Sequence, residues 1–524
     1  MIGSVAPFLI CNTPHFYKLV LHAMEAVMIK SDSLIKIHEN DNVAVALRNI
    51  TKGETLTLGD FTVVALDDFD KGHKIAFQYI AEGENIIKYG FAIGHATKSI
   101  NAGDYIHTHN IKTNLHGLLD YTYEPRLSIH DATKKSEFMA YVRKNGEIGI
   151  RNEIWIVTTV GCVNKTAENL AKAANEKFAG KTDGIFAFTH PYGCSQLGED
   201  LGTTQKILAD MVKHPNAAGV LVLGLGCENN NIPEFKKIVG DYDEDRVKFL
   251  STQEVNDEIE AGLTLIGELV DYAETFKREK VPASKLIVGL KCGGSDGFSG
   301  ITANPLVGVF SDILIEHGGT SILTEVPEMF GAETILMNRC INEETFKKTV
   351  DLINNFKGYY IKHNQEIYEN PSPGNKKGGI TTLEEKSLGC TQKGGSGNVV
   401  DVLDYGERVK NPGLNLLRGP GNDIVSATAL MAAGAHLILF TTGRGTPLGA
   451  PVPTVKVSTN TDLYGRKGNW IDYNAGQLLE GNEMKDVSED FFNFVLKVAS
   501  GDVYTRNEEN GYREIAIFKD GVTL

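Results

Sequence analysis

The chain lacks the cysteine pattern of a disulfide scaffold or of a metal knuckle. It has seven cysteines in 524 residues, an odd count, and no two are spaced C-x-x-C. Reduced thiols in a cytoplasmic setting are therefore the expected state. A run of apolar residues long enough to span a membrane is also missing. Positive charge is in deficit: 52 Lys and Arg stand against 67 Asp and Glu, a net charge of −15. That balance argues against nucleic acid or an anionic membrane as a general partner. No G-x-x-x-x-G-K-[ST] segment occurs, and no G-x-G-x-x-G sits at a strand–helix junction with an acidic residue further on, so nucleotide dependence has no support. The first stretch, MIGSVAPFLICNTPHFYK, lacks the positive start of a signal peptide and is broken by Asn12, Pro14 and His15. Residues 1–33 are expected to be an unstructured extension, with Met28 the natural initiator.

What is abundant is glycine, 55 residues in short runs between apolar segments. Such runs mark tight turns and places where backbone approaches a ligand. Residues 34–115 repeat one grammar in TKGETL, DKGHKIAF, AEGENIIKYG and NAGDYIHTHN, with Gly53, Gly72, Gly83 and Gly103 supplying turns before short alternating strands. A small all-β module is predicted there. Residues 116–140 are polar and read as a linker.

From residue 141 the pattern changes to alternating strand and helix. EIWIVTTV, DGIFAFTH, AGVLVLGL, SKLIVGL and HLILF are short continuous apolar runs, as in buried parallel strands. Helical patterns such as NKTAENLAKAANEKF lie between them. The expectation is a large Rossmann-like α/β core at 141–395 with mostly parallel strands, followed by a C-terminal α/β domain at 396–524. The turns TVGCVNK, THPYGCSQLGED, LGLGCENN and GLKCGGSDGFSG each begin where an apolar run stops. The carboxyl ends of parallel strands are where ligands bind, so four polar, Cys-bearing turns there locate a site.

Several residues could carry its chemistry. His107 and His109, two apart on a predicted strand, point the same way, and His73 could join them as metal ligands. The ordinary alternative is surface histidines on a hairpin. The cysteines come one per loop, so nothing local supports an iron–sulfur cluster, and Cys194 or its fellows can equally be small residues fitting crowded turns. His190 ends a core strand and is a candidate base or acid. Asn422 or Asp423 caps a helix whose free N–H groups would face an anion. Arg444 stands between two glycines with little to pack against, as a carboxylate clamp would. Lys376 lies in a glycine-flanked basic stretch. Glu325, Glu328 and Asp296 sit in further loops and can equally be solvated.

The segments VGCVN, GCSQLGED, HPNAAGVLVLGLGCENN, CGGSDGFSGITANPLVG, LTEVPEMFGAE, YENPSPGNKKGGITTLEEKSLGCTQK, APVPTVK and REIAIFKDGVTL together resemble the altronate/galactarate dehydratase family, from about residue 35 to the end. The N-terminal module resembles that family's SAF, or antifreeze-like, domain. The resemblance implies a hydro-lyase of hexuronate catabolism that converts D-altronate to 2-dehydro-3-deoxy-D-gluconate and water. It also implies Fe2+, sometimes replaced by Mn2+. Galactarate is the alternative substrate, and an iron–sulfur hydro-lyase or a non-enzymatic sugar-acid sensor are alternative classes. Within this reading His73, His107 and His109 line the metal, with the SAF module closing over the core pocket. His190, Asp296, Glu325 and Cys194 are catalytic candidates, and Arg444, Asn422 and Lys376 bind substrate. A small sugar acid is the expected partner, and a homo-oligomer is compatible with the sequence.

Overall fold

The computed structural model describes residues 29–130 and 132–521. The expected extension and its initiator fall mostly outside them, but Ile29–Lys30 already forms a strand paired with Leu34–Lys36. The chain divides into two units, one ending at Lys112 and one beginning at Thr113.

The first unit is all β and antiparallel, with sheets of five, three and two strands. The glycine repeat explains it. Gly53, Gly72, Gly83 and Gly103 all have φ between +82° and +94°, and each donates its N–H across to Ala65, Ala46, Ala96 and Ala76 respectively. The same turn is thus used four times to cross from one short strand to the next. At Gly103 a Cβ would lie 2.1 Å from the carbonyl oxygen of Val64, so the repeat demands glycine by space as well as by conformation.

The second unit holds two wholly parallel sheets. In the first, β1 (Glu153–Thr158), β2 (Ile185–Phe188), β3 (Ala217–Gly224) and β4 (Val247–Ser251) run in the order β2-β1-β3-β4. In the second, β5 (Ile287–Cys292), β6 (Thr320–Leu323), β7 (Val399–Leu403), β8 (Gly413–Leu417), β9 (Leu437–Thr442), β10 (Thr454–Ser458) and β11 (Tyr473–Asn474) run in the order β7-β8-β6-β5-β9-β10-β11. All five predicted apolar runs are strands, and β1, β3, β8 and β9 are buried along their whole length. Val157, Phe188 and Val222 share one apolar cluster with Ile322, Leu417, Leu430 and Ile438, so the two sheets are built around common core.

Two expectations about boundaries give way. The seven-stranded sheet takes strands from both sides of residue 395, because β8 pairs with β6 and β7 with β8; a division at 395/396 would cut through one sheet. The described residues of 116–136 have no regular secondary structure, as a linker should, yet they are pinned. Tyr121 donates to Glu333 at 2.5 Å, Tyr123 donates to the Cys340 carbonyl, and Lys357 bonds both Tyr121 and Glu333. A polar composition does not reveal aromatic hydroxyls that find buried acceptors.

In helix Gly198–Lys213, Asp210 faces the core, and burial pushes its carboxyl up to about 7 against the pull of Arg408, Lys213 and Lys206. A raised folded pKa stabilises the protein below the unfolded value near 3.8, and that contribution is lost as pH rises through about 7. Asp210→Asn should therefore flatten the dependence of Tm on pH across that window. An unchanged decline in Tm would show that another group is responsible.

Candidate functional site

Both sheets have a topological switch point, where successive connections leave a strand in opposite directions. In the seven-stranded sheet it lies between β5 and β9, since the chain passes from β5 to β6 and later returns to β9 on the other side. A dense group of charged side chains and thiols lies beside that point. Lys291, on β5 itself, is fully buried and binds Glu325 at 2.6 Å and Asp423 at 2.8 Å. Next to it, Cys292 donates its backbone N–H to Glu325 at 2.9 Å and its thiol to Glu328 at 3.1 Å. Cys390 donates to the same Glu328 oxygen at 3.1 Å, and the two sulfurs are 3.4 Å apart. Lys393 lies 2.9 Å from the Cys292 sulfur, and Lys386 lies 2.7 Å from the other oxygen of Glu328.

Local structure explains how these groups meet. Glu325 follows β6 in the left-handed region, at φ 69°, an uncommon conformation for a residue with a side chain. It leads into the 3₁₀ turn Val326–Met329, which carries Glu328. Lys386 and Cys390 ride on helix Leu383–Cys390, capped by the Thr382 hydroxyl and buried at all eight positions; Lys393 follows one turn later. Spacings of four and three place these residues along one face. That spacing was the signal in the sequence that would have grouped them.

The electrostatics are balanced. Lys291, Lys386 and Lys393 face Glu325, Glu328 and Asp423, three cations against three carboxylates. Burial opposes ionisation of Glu328, but Lys386 and Lys393 outweigh it and hold the carboxyl well below the usual range. Burial pushes Glu325 up, with Lys291 pulling the other way. The Cys390 thiol is pushed well above its ordinary value by its bond to Cys292 and by burial. The Cys390 thiol therefore fits the neutral form.

Cys292, Glu328 and Cys390 are the one group among the described residues whose His, Cys, Asp or Glu ligand atoms, three or more, lie within 4.8 Å of one another. Their donor set, two sulfurs and one carboxylate, suits a transition metal. Loading a divalent ion would release two thiol protons, which leaves the net charge of the cluster unchanged. On both counts the residues fit a metal.

At the more open side of the same strand ends, Asp296 accepts from four donors: Phe298 N–H at 3.1 Å, the Ser299 hydroxyl at 3.2 Å, the Thr459 hydroxyl at 3.0 Å and the Asn460 amide at 3.3 Å. Burial nevertheless pushes its carboxyl upward. A Cβ on Gly443 would fall 2.2 Å from the Asp296 carboxyl carbon, so the turn after β9 packs directly on this group. Arg444 is next in that turn and exposed, and its Cβ is 3.7 Å from where a Cβ on Gly294 would be. Asn422 caps helix Asp423–Ala432 by accepting from Val425. Lys376 lies in the short helix Pro373–Lys377, whose Asn375 donates to the Ser295 carbonyl.

The structure thus gathers Asp296, Glu325, Arg444 and Asn422 at one sheet edge, with the Lys376 helix bonded to the same loop. It does not bring the other candidates there. His190 and Cys194 follow β2 in the four-stranded sheet. Both ring nitrogens of His190 are engaged, Nε2 with the Thr158 carbonyl at 3.0 Å and Nδ1 with Tyr192 N–H at 3.3 Å, and burial lowers the ring to about 4. The expected base or acid is instead a neutral tie between β1 and the loop after β2. His107 and His109 are not on a strand. The strand ends at Ile106, and the Asn110 side chain accepts from His107 N–H to close a turn. His73 bonds the Tyr105 hydroxyl at 2.7 Å, and Tyr105 packs against all three histidine rings. Their ligand atoms form no group within 4.8 Å among the described residues, so the expectation of a histidine metal site gives way to the buried Cys–Glu–Cys set.

Residues 32–114 match the altronate/galactarate dehydratase SAF domain, 140–274 the D-galactarate dehydratase/altronate hydrolase second domain, and 283–523 the D-galactarate/altronate dehydratase C-terminal region. The chain belongs to the altronate/galactarate dehydratase family. The junction between the second and third matches, at 275–282, falls between the two parallel sheets. The chain is 55% identical over 500 residues to altronate dehydratase of Bacillus subtilis, covering 94% of this chain and 100% of that one. It is 53% identical to altronate dehydratase of Escherichia coli over 94% and 99%. Galactarate dehydratase (L-threo-forming) of E. coli is more distant, at 33% over 92% and 96%.

Proposed function

We propose that the chain dehydrates D-altronate to 2-dehydro-3-deoxy-D-gluconate at the carboxyl edge of the seven-stranded sheet. The near-complete coverage of two altronate dehydratases at 53–55% identity supports this substrate over galactarate, for which the relative is only 33% identical. Six free cysteines among the described residues agree with a reducing cytoplasm. No described helix is long and apolar enough to cross a membrane.

The chemistry is difficult because the C2 proton lies beside a carboxylate. Fe2+ or Mn2+ held by Cys292, Glu328 and Cys390 would absorb negative charge as that proton leaves. Arg444 and the N-terminus of helix Asp423–Ala432, at Asn422, bind and orient the substrate carboxylate. Asp296 is the residue assigned to proton transfer. Its raised pKa makes it a better base than an ordinary carboxylate and lets it hold the proton long enough to return it. It takes the proton from C2, the electron pair forms the C2–C3 double bond, and the C3 hydroxyl leaves with that proton as water. The enol then tautomerises to the 2-keto acid. Its four hydrogen bonds of 3.0–3.3 Å keep it aimed and pull its pKa down, but burial outweighs them.

Incubation of reduced, iron-loaded protein with altronate and galactarate separately, with assay for 2-keto acid, tests the substrate. Keto acid from altronate is expected, with galactarate much slower; none from either would remove the dehydratase reading.

A further inference from the structure

The second switch point is in the four-stranded sheet, and the dehydration scheme does not use it. Its centre is β1, flanked by β2 and β3. Each of these three strands is followed by one cysteine: Cys162 after β1, Cys194 after β2 and Cys227 after β3. They are the exposed thiols among the described residues; Cys292, Cys340 and Cys390 are buried. Three parallel neighbours thus send three accessible thiols to one edge. The outer two strand ends stand two spacings apart, about 10 Å.

The three loops are bonded to one another. Gly161 donates its N–H to Tyr192 at 2.8 Å, which ties the Cys162 turn to the Cys194 loop. Asn164 donates to the His190 carbonyl at 2.8 Å. Asn229 donates its N–H to the carbonyl of Cys194 itself at 2.9 Å, and its side chain to Gln196 at 2.9 Å, which ties the Cys227 loop to the Cys194 loop. Asn230 closes the third side by donating to Thr159 at 3.2 Å. Glu228 is spent internally on the Thr159 hydroxyl and on the N–H groups of Leu225 and Gly226, and His190 is spent as described above. A rigid triangle of loops is therefore built with its acid, amide and imidazole groups used as fasteners, and its thiols left accessible.

Helix ends and one amide also meet at this edge. Helices Asn164–Lys177, Gly198–Lys213 and Ile232–Val239 begin two, four and five residues after the respective cysteines, so three helix N-termini converge on the edge. The Gln253 amide reaches the Cys227 sulfur at 3.6 Å. The three sulfurs do not all lie within 4.8 Å of one another, unlike the Cys292, Glu328 and Cys390 ligand atoms. A single ion needs its ligands close; a cluster of several irons holds its thiolates further apart.

We propose that Cys162, Cys194 and Cys227 bind an iron–sulfur cluster of the four-iron class, one thiolate from each loop. Ligation releases three thiol protons, and the fourth iron has no thiolate from this edge, so it stays open to water or a substrate oxygen. This inference does not rest on the dehydration reading, because its readout is the cluster itself.

The test is anaerobic reconstitution of the full chain with sulfide and equal amounts of ferrous and ferric iron, the valence mixture that the cluster itself contains, followed by removal of unbound ions. Expected are iron and acid-labile sulfide in equal amounts, with a visible absorption that dithionite bleaches. Cys162→Ser, Cys194→Ser and Cys227→Ser should each lose the sulfide and the colour while keeping the far-UV circular dichroism of the parent. Cys340→Ser and the pair Cys292→Ser/Cys390→Ser should keep both. Parent protein that retains no sulfide, iron without sulfide, zinc in place of iron, or a cluster that survives in all three single variants would each overturn the proposal.

Discussion

Asp296→Asn is expected to lower keto-acid formation from altronate by about 10²–10⁴-fold, the usual contribution of a positioned acid–base group. The loss should appear in kcat, with KM little changed, because the amide keeps the volume but cannot take the C2 proton. Its NH2 group must also face the donors that now point at the carboxylate, so part of the loss is orientational. Arg444→Ala should behave differently and raise KM, since its role is to hold the carboxylate. An Asp296→Asn enzyme with normal kcat would remove Asp296 from the chemistry.

The second large effect concerns stability. Lys386→Met leaves the buried Glu328 carboxylate without its 2.7 Å partner, and breaking a buried pair from one side costs about 3–5 kcal/mol. Adding Glu328→Gln should recover most of that loss, because the uncompensated charge goes with it. Urea unfolding of the two single variants and the double variant measures this. The pH dependence has a definite sign. Glu328 is held below its ordinary value of 4.5, so its contribution is present above that value and lost as pH falls through the depressed one. The penalty of Lys386→Met should therefore shrink in acid. A penalty independent of pH and not relieved by Glu328→Gln would mean that lost packing, not charge, is responsible.

Much of this architecture was legible because it is local. Buried parallel strands are continuous apolar runs, so β1, β2, β3, β5 and β9 stand out, and the glycine repeat marks its own turns. A dense group of charged side chains and thiols does lie at the carboxyl edge of the seven-stranded sheet. What was not legible was which sheet each turn belongs to. Of the four Cys-bearing turns, three lie on the four-stranded sheet and the fourth, after β5, on the seven-stranded one. Pairing between strands distant in sequence decides that, and no local pattern carries it. The pairing of β8 with β6, and of β7 with β8, likewise erased the expected boundary at 395.

The site itself was half visible. Asp296, Glu325, Arg444 and Asn422 stood out as polar residues in glycine-rich turns, and the fold carries these turns to one sheet edge. Lys291 was missed because a lysine at the end of an apolar strand usually reaches water; here Glu325 and Asp423 give it partners inside. The histidines misled for a physical reason. Two residues apart means one face only on a strand, and the Asn110 side chain turns the chain at His107 instead. Cys390 and Lys393 were present in a segment that reads as an ordinary basic loop, and only the helix places them on one face with Lys386.

The most direct test compares metal content and altronate turnover in two double variants, Cys292→Ser/Cys390→Ser and His107→Ala/His109→Ala, after loading with ferrous iron alone. The first should lose both the bound ion and keto-acid formation, and the second should keep both. Full activity and iron in the Cys292→Ser/Cys390→Ser protein, with loss of both in the histidine variant, would contradict the placement of the site at the edge of the seven-stranded sheet.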